Sequence, residues 1–255
     1  MGLMKEIKAG KLMVKVYDTR ENIGKAAAKE ASETMSSIIT EKGECNVIFA
    51  AAPSQNEFLS FLLAFSADLG SVNAFHMDEY IGLQEDAPQS FGNFLKERLF
   101  SKANFKSVHY IDGNNAATDE CARYAALLHE HPVDVVCMGI GENGHIAFND
   151  PHVARFDDPV WVKIVDLDEK CRMQQVNDGC FSTIDEVPKY ALTLTIPAMV
   201  SGKYLFCMVP AQRKARAVYH TINDPVSEAI PATCLREHEH AVLYIDSDSA
   251  SLLFE

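Results

Sequence analysis

Five groups in one short run have the makings of a proton-transfer site: the three glycines, the histidine and the carboxylate of Gly139-Ile140-Gly141-Glu142-Asn143-Gly144-His145-Ile146-Ala147-Phe148-Asn149-Asp150-Pro151. Glycine lets backbone N–H groups approach a ligand closely, which gives Gly141 and Gly144 a binding role. Imidazole titrates near neutrality, so His145 can both give and take a proton, and Asp150 is placed to orient it. The same run also fits a tight strand-to-helix turn with a satisfied loop histidine. The coincidence of these groups at a strand end favours the site. A second pair, Asp78-Glu79, ends an apolar stretch; a carboxyl beside a like charge in a cleft has a raised pKa and suits a general base. A helix N-cap followed by a solvated Glu fits the pair equally well.

Three further segments carry binding groups. Arg213, Lys214 and Arg216 open a helix after a strand, where cations are unfavourable unless an anion compensates them; for the two arginines a solvated face is the simpler reading. Ala50-Ala51-Ala52-Pro53-Ser54-Gln55-Asn56 sets small residues between strand and helix, with Ser54 either near a ligand or a plain N-cap. The polar run Asp168–Gly179 supplies Lys170 and Arg172 as phosphate partners and reads as a lid or as an ordinary surface loop.

These residues have to be held by an alternating scaffold. Strands are expected at Leu12–Tyr17, Cys45–Ala51, Val72–His76, Val108–Ile111, Val133–Met138, Tyr204–Val209 and Ala241–Ile245, with Trp161–Val165 extended. Helical patterns lie between them, among them a helix to about Ile39 capped by Thr19 or Asn22, and one with Phe58, Leu59, Leu62 and Phe65 on one face. Apolar strands alternating with helices imply an α/β fold, a mainly parallel sheet with helices on both faces. No linker or repeat divides the chain, so residues 1–255 read as a single domain. In such sheets ligands bind beyond the carboxyl ends of the strands, which selects the loops after Ala51, His76, Met138 and Val209.

Composition narrows the partners. The 255 residues carry a formal charge of −13, which disfavours nucleic acid and anionic membranes and obliges any phosphorylated substrate to meet a local cation. The seven cysteines are odd in number and show no C-x-x-C or zinc-like spacing, so they read as reduced thiols in a cytoplasmic protein. No signal peptide or membrane-spanning stretch is visible.

Phe75-His76-Met77-Asp78-Glu79-Tyr80-Ile81-Gly82-Leu83, together with the Gly139–Pro151 run, resembles the glucosamine-6-phosphate deaminase (isomerase) family, which is related to 6-phosphogluconolactonases. The similarity extends to Val187–Thr193, to Lys214-Ala215 and to the Cys234-Leu235 region, and so covers nearly the whole chain. The resemblance implies a Rossmann-like domain that opens an amino-sugar phosphate ring, isomerises aldose to ketose and releases ammonia. It implies Asp78 as the base at C2, His145 as the ring-opening group and Asp150 as its support, with no metal or organic cofactor and a homo-oligomeric assembly. Substrate contacts are implied for Ser54, Gln55, Glu79, Gly141, Gly144, Arg172, Gln175 and Lys214. Asn143 stands where the family has Asp, Asp150 where it has Glu, and Gln175 at or near an expected Arg. Those changes leave the proton-transfer groups in place and thin the phosphate site. Two alternatives follow: a sugar-phosphate lactone hydrolase with His145 activating water, or an isomerase of a different sugar. A non-catalytic sugar-phosphate sensor fits less well, since such sensors carry a DNA-binding segment and this chain is acidic.

Overall fold

A computed structural model describes residues 2–65 and 68–254. The strands are β1 (Leu3–Ala9), β2 (Leu12–Tyr17), β3 (Cys45–Phe49), β4 (Val72–His76), β5 (Asp78–Tyr80), β6 (Ser107–His109), β7 (Val135–Met138), β8 (Val162–Asp166), β9 (Tyr190–Leu194), β10 (Tyr204–Val209) and β11 (Ala241–Asp246). The helices are α1 (Arg20–Lys42), α2 (Asn56–Phe65), α3 (Phe91–Leu95), α4 (Ala117–Glu130), α5 (Glu169–Asn177), α6 (Ile196–Val200) and α7 (Ala215–Asn223).

Eight strands form one sheet in the order β1-β2-β11-β10-β7-β3-β4-β6, and every pairing is parallel except the β1–β2 hairpin at one edge. Side-chain alternation sends each strand's residues to two different cores. Val14, Ile48, Val136, Leu205 and Leu243 pack on one face with Tyr124 and Leu128 of α4 and Val218 of α7. Val47, Phe49, Val135, Phe206 and Tyr244 pack on the other with α1 and α2. The sheet is therefore covered on both sides, which is why its central strands lack a polar alternation.

Two elements depart from the sequence expectation. β1 is an additional strand; its LMKEIKA pattern is largely exposed and bears lysines suited to a sheet edge. A second, antiparallel sheet, β5-β9-β8, sits beside the main one and includes Asp78-Glu79, expected in a loop or cap. A three-residue strand is too short to show a period. The polar run beginning at Asp168 forms α5, capped by the Asp168 side chain on Cys171 N. Among the described residues all seven cysteines are free thiols, and no helix is long and apolar enough to cross a membrane.

Helix α1 starts on the Thr19 hydroxyl, which accepts from Asn22 N, and stops at Gly43 in a left-handed conformation. It lies close against α2 because Gly24 faces it: a Cβ at Gly24 would sit 2.6 Å from Glu57 Cβ and 2.9 Å from Phe58 N. Gly24→Ala gains about 1 kcal/mol of helix propensity but forces the helices apart at a cost of about 1–3 kcal/mol. The expected net result is a lower Tm; a Tm raised by the full propensity gain refutes the tight α1–α2 contact.

Candidate active site

Chain order reverses between β3 and β7, the winding running outward to β4 and β6 on one side and to β10 and β11 on the other. A crevice opens at such a switch point. The loops after β3, β4, β7 and β10 all contribute to it, with Ser54 and Gln55, Asp78, Gly141 and His145, and Lys214 on its walls. Gln174, Gln175 and Asp178 close it from α5 and its C-cap. The free space within it is about 70 Å³, against roughly 300–1,000 Å³ for an ordinary ligand pocket. Helix α5 holds this closed state through Gln174 Oε1, which accepts from Glu142 N at 2.8 Å, and through Arg213, which donates to Asn177 O at 2.9 Å.

His145 is buried with its Nδ1 2.9 Å from Asp150 Oδ1, off the direction of a well-aligned hydrogen bond. Asn143 braces the pair: its Nδ2 donates to Asp150 Oδ1 at 2.9 Å, and its Oδ1 accepts from His145 N at 3.1 Å. Burial pushes the Asp150 carboxyl up, but the contacts with His145 and Asn143 outweigh it and hold the carboxyl below its ordinary range. The imidazole lies so close to Gly141 that a Cβ there would stand 2.1 Å from Nε2, so Gly141 makes room for the ring as well as lining the cleft. Ala147 follows with φ 49°, a strained value for alanine. The turn is fastened to β9 by Asn149 Nδ2 on Leu194 O (2.8 Å) and by Phe148 N on Thr193 Oγ1 (3.1 Å).

Asp78 and Glu79 point in opposite directions from β5 and do different work. Asp78 borders the cleft; burial, then the charge of Glu79, raises its carboxyl well above the ordinary range. The expectation of a substrate contact at Glu79 is corrected. Its carboxylate accepts from Tyr80 N, Phe91 N, Gly92 N and Ser90 Oγ, tying β5 to the start of α3 away from the cleft. Behind Asp78 stands His76, fully buried. Ile111 N donates to its Nε2 at 2.8 Å, so Nδ1 carries the proton and donates to Asp78 O at 3.0 Å. Burial lowers the His76 pKa to about 4 and keeps the ring neutral.

At the opposite wall Lys214 is buried and makes no ion pair among the described residues. Burial lowers its pKa, while Asp178 and Glu142 pull it partly back. Gln55 Nε2 donates to Met208 O and Ser54 Oγ, leaving its buried Oε1 without a partner among the described residues. The expectation for Arg172 is corrected: its guanidinium donates to Ile184 O and Val187 O and holds the segment after α5. Gly144 also stands away from the cleft walls, in a left-handed conformation (φ +85°) against Ile230. Asp178, Gln174 and His76 join or support the site without a sequence signal beyond their neighbourhood; the position of His76 just before the acidic pair was the available cue.

The family model for glucosamine-6-phosphate isomerases/6-phosphogluconolactonase matches residues 18–244. The chain belongs to this family. A glucosamine-6-phosphate deaminase of Listeria innocua serovar 6a is 35% identical over 232 residues, covering 89% of this chain and 96% of the relative. One from Streptococcus pyogenes serotype M3 is 33% identical over 215 residues, 83% of this chain and 89% of the relative. The solved structure of a monomeric glucosamine-6-phosphate deaminase superposes with a TM-score of 0.86 at 28% identity over 94% of this chain and 99% of that one. A 6-phosphogluconolactonase from Thermotoga maritima shares the family fold, with a TM-score of 0.76 at 19% identity over 92% of this chain and 99% of that one.

Two outcomes follow from this geometry. Gly141→Ala displaces the His145 ring and should lower kcat/KM on the order of 10²-fold or more, the cost of misplacing a reacting group; unchanged kinetics contradict the contact. The folded His76 pKa of about 4 lies below the free value of 6.5. Its contribution to stability is therefore complete above pH 6.5 and lost as pH falls toward 4, about 2 kcal/mol at pH 5. Denaturant titrations at pH 7 and 5 should show a smaller pH effect in His76→Gln than in the wild type.

Proposed function

We propose that the chain is an amino-sugar phosphate deaminase/isomerase that converts glucosamine-6-phosphate and water to fructose-6-phosphate and ammonia. What carries the reading is one cleft that gathers a desolvated carboxyl (Asp78), a carboxylate-backed imidazole (His145 with Asp150) and a buried cation (Lys214) with no ion-pair partner among the described residues. The names of the relatives point to the same reaction.

In this reading His145 accepts the proton of the C1 hydroxyl and delivers a proton to the ring oxygen, as the bond between C1 and the ring oxygen breaks and the C1 aldehyde forms. Asp78 then takes the proton from C2 and returns one to C1, which leaves an imine at C2. Water adds there, the C–N bond breaks, and ammonia departs from the ketose. Each step moves a proton or adds water, so neither a redox group nor a metal is required by the chemistry. Lys214 meets the phosphate, with Ser54, Gln55 and Gln175 offering neutral hydrogen bonds where a second cation was expected. Burial of Lys214 makes a partner anion valuable, since an ammonium with no counter-charge is costly in a closed site. Helix α5 has to lift for the sugar to enter. All the groups named come from one chain, so the homo-oligomer implied by resemblance is not needed to complete the site. The unpaired thiols support a cytoplasmic location, and residues 1–255 are read as one catalytic domain.

The test is ammonia release from glucosamine-6-phosphate. Asp78→Asn and His145→Gln should each lose on the order of 10²–10⁴-fold in kcat, and Lys214→Met about 10- to 100-fold in kcat/KM. Because Asp78 acts ionised and its pKa is raised, activity should rise with pH through a limb above the ordinary Asp value of about 3.9. The same burial makes the charge a burden, so Asp78→Asn should raise Tm even as it lowers turnover. Release of no ammonia by folded wild type, with hydrolysis of a sugar-phosphate lactone that survives Asp78→Asn, overturns the reading in favour of a lactonase.

A further inference from the structure

Three side chains from two elements converge behind the imidazole. A ring nitrogen of His145, a carboxylate oxygen of Asp150 and Sγ of Cys171 lie within 4.8 Å of one another, and all three residues are buried. Cys171 comes from α5, the other two from the loop after β7. Two polar atoms in this nook, His145 Nδ1 and Asp150 Oδ2, have no well-aligned hydrogen-bond partner among the described residues. Buried polar atoms are seldom left so, and each such loss costs about 1–3 kcal/mol.

We propose that a thiophilic divalent cation, zinc above all, binds to His145, Asp150 and Cys171 and holds the enzyme inactive. A nitrogen, a carboxylate and a sulfur select zinc or cobalt over magnesium or calcium, which favour oxygen ligands alone. Zinc bonds of about 2.0–2.3 Å set donors roughly 3–4 Å apart, so Cys171 has to draw in while the His145–Asp150 pair, now 2.9 Å apart, opens slightly. On binding, the Cys171 thiol gives its proton to solvent and becomes a thiolate. The imidazole, bound through Nδ1, stays neutral and carries its proton on Nε2. Both ring nitrogens are then occupied, so His145 can no longer accept a proton. The ion also ties α5 to the loop beneath it and so fixes the mouth of the cleft shut. The inhibitory part rests on the reading of His145 as the ring-opening group; the binding part does not.

The test begins without substrate. Metal-free full-length protein titrated with Co²⁺ should bind one ion at this site and develop a thiolate-to-cobalt charge-transfer band. Cys171→Ala should abolish the band and weaken Zn²⁺ binding on the order of 10- to 100-fold or more, at least the loss typical of outer-shell partners. Cys171→Ser, close to cysteine in size and without a thiolate, gives the same reading if the alanine variant does not fold. A wild type without the band, or a band that survives in both variants, overturns the site. In the ammonia assay Zn²⁺ should stop the wild type, a chelator should restore it, and Cys171→Ser should resist. A bound ion that leaves turnover intact overturns the inhibition, and a wild type inactive toward glucosamine-6-phosphate before any metal is added instead tells against the proposed reaction while the band still reports the site.

Discussion

Everything at the cleft depends on how the chain leaves β4. Within two residues it must quit a parallel sheet and enter an antiparallel one, and the bend at Met77 exposes backbone groups inside the core. His76 satisfies them. Its ring joins Ile111 N to Asp78 O, and Tyr124 Oη accepts from His76 N while donating to a nearby carbonyl. A buried backbone polar group without a partner is costly, so this neutral imidazole acts as a fixed joint. Once the joint is set, strand alternation sends Asp78 to the cleft and Glu79 to the amides at the start of α3. Two adjacent carboxylates thereby acquire unrelated tasks.

Much of this was legible in the sequence, for definite reasons. Continuous apolar strands such as Val135–Met138 signal a sheet covered on both faces, and the carboxyl-end rule then picks the four loops that line the cleft. His145 and Asp78 stand out because ionisable groups directly after such strands have few structural uses. Direction was not legible. Whether Arg172 turns toward the cleft or toward the carbonyls of Ile184 and Val187 depends on the path of the chain after α5, which no local period encodes. Glu79 was misjudged for the same reason: the amides it accepts from belong to α3, which lies further along the chain. The antiparallel sheet was obscure because its members are short and distant from one another in sequence.

Several features of the site run against stability. Asp78 is held near a like charge, Lys214 is buried without a counter-ion among the described residues, and Ala147 sits at positive φ. These are groups whose neighbours would be chosen differently if folding alone mattered. Their support lies one layer back, in Asn143, Asn149 and His76, none of which needs to touch a substrate. Asp150 illustrates the division: it is entirely inaccessible and lies against the imidazole of His145.

The tightness of the cleft makes the opening of α5 a step that must frame the proposed reaction. Its volume of about 70 Å³ has room for a few water-sized molecules at roughly 10–15 Å³ each. A sugar phosphate does not fit in that space while α5 stays latched. Arrival of the sugar and departure of the ketose are then both timed by two hydrogen bonds on α5 that take no part in bond breaking.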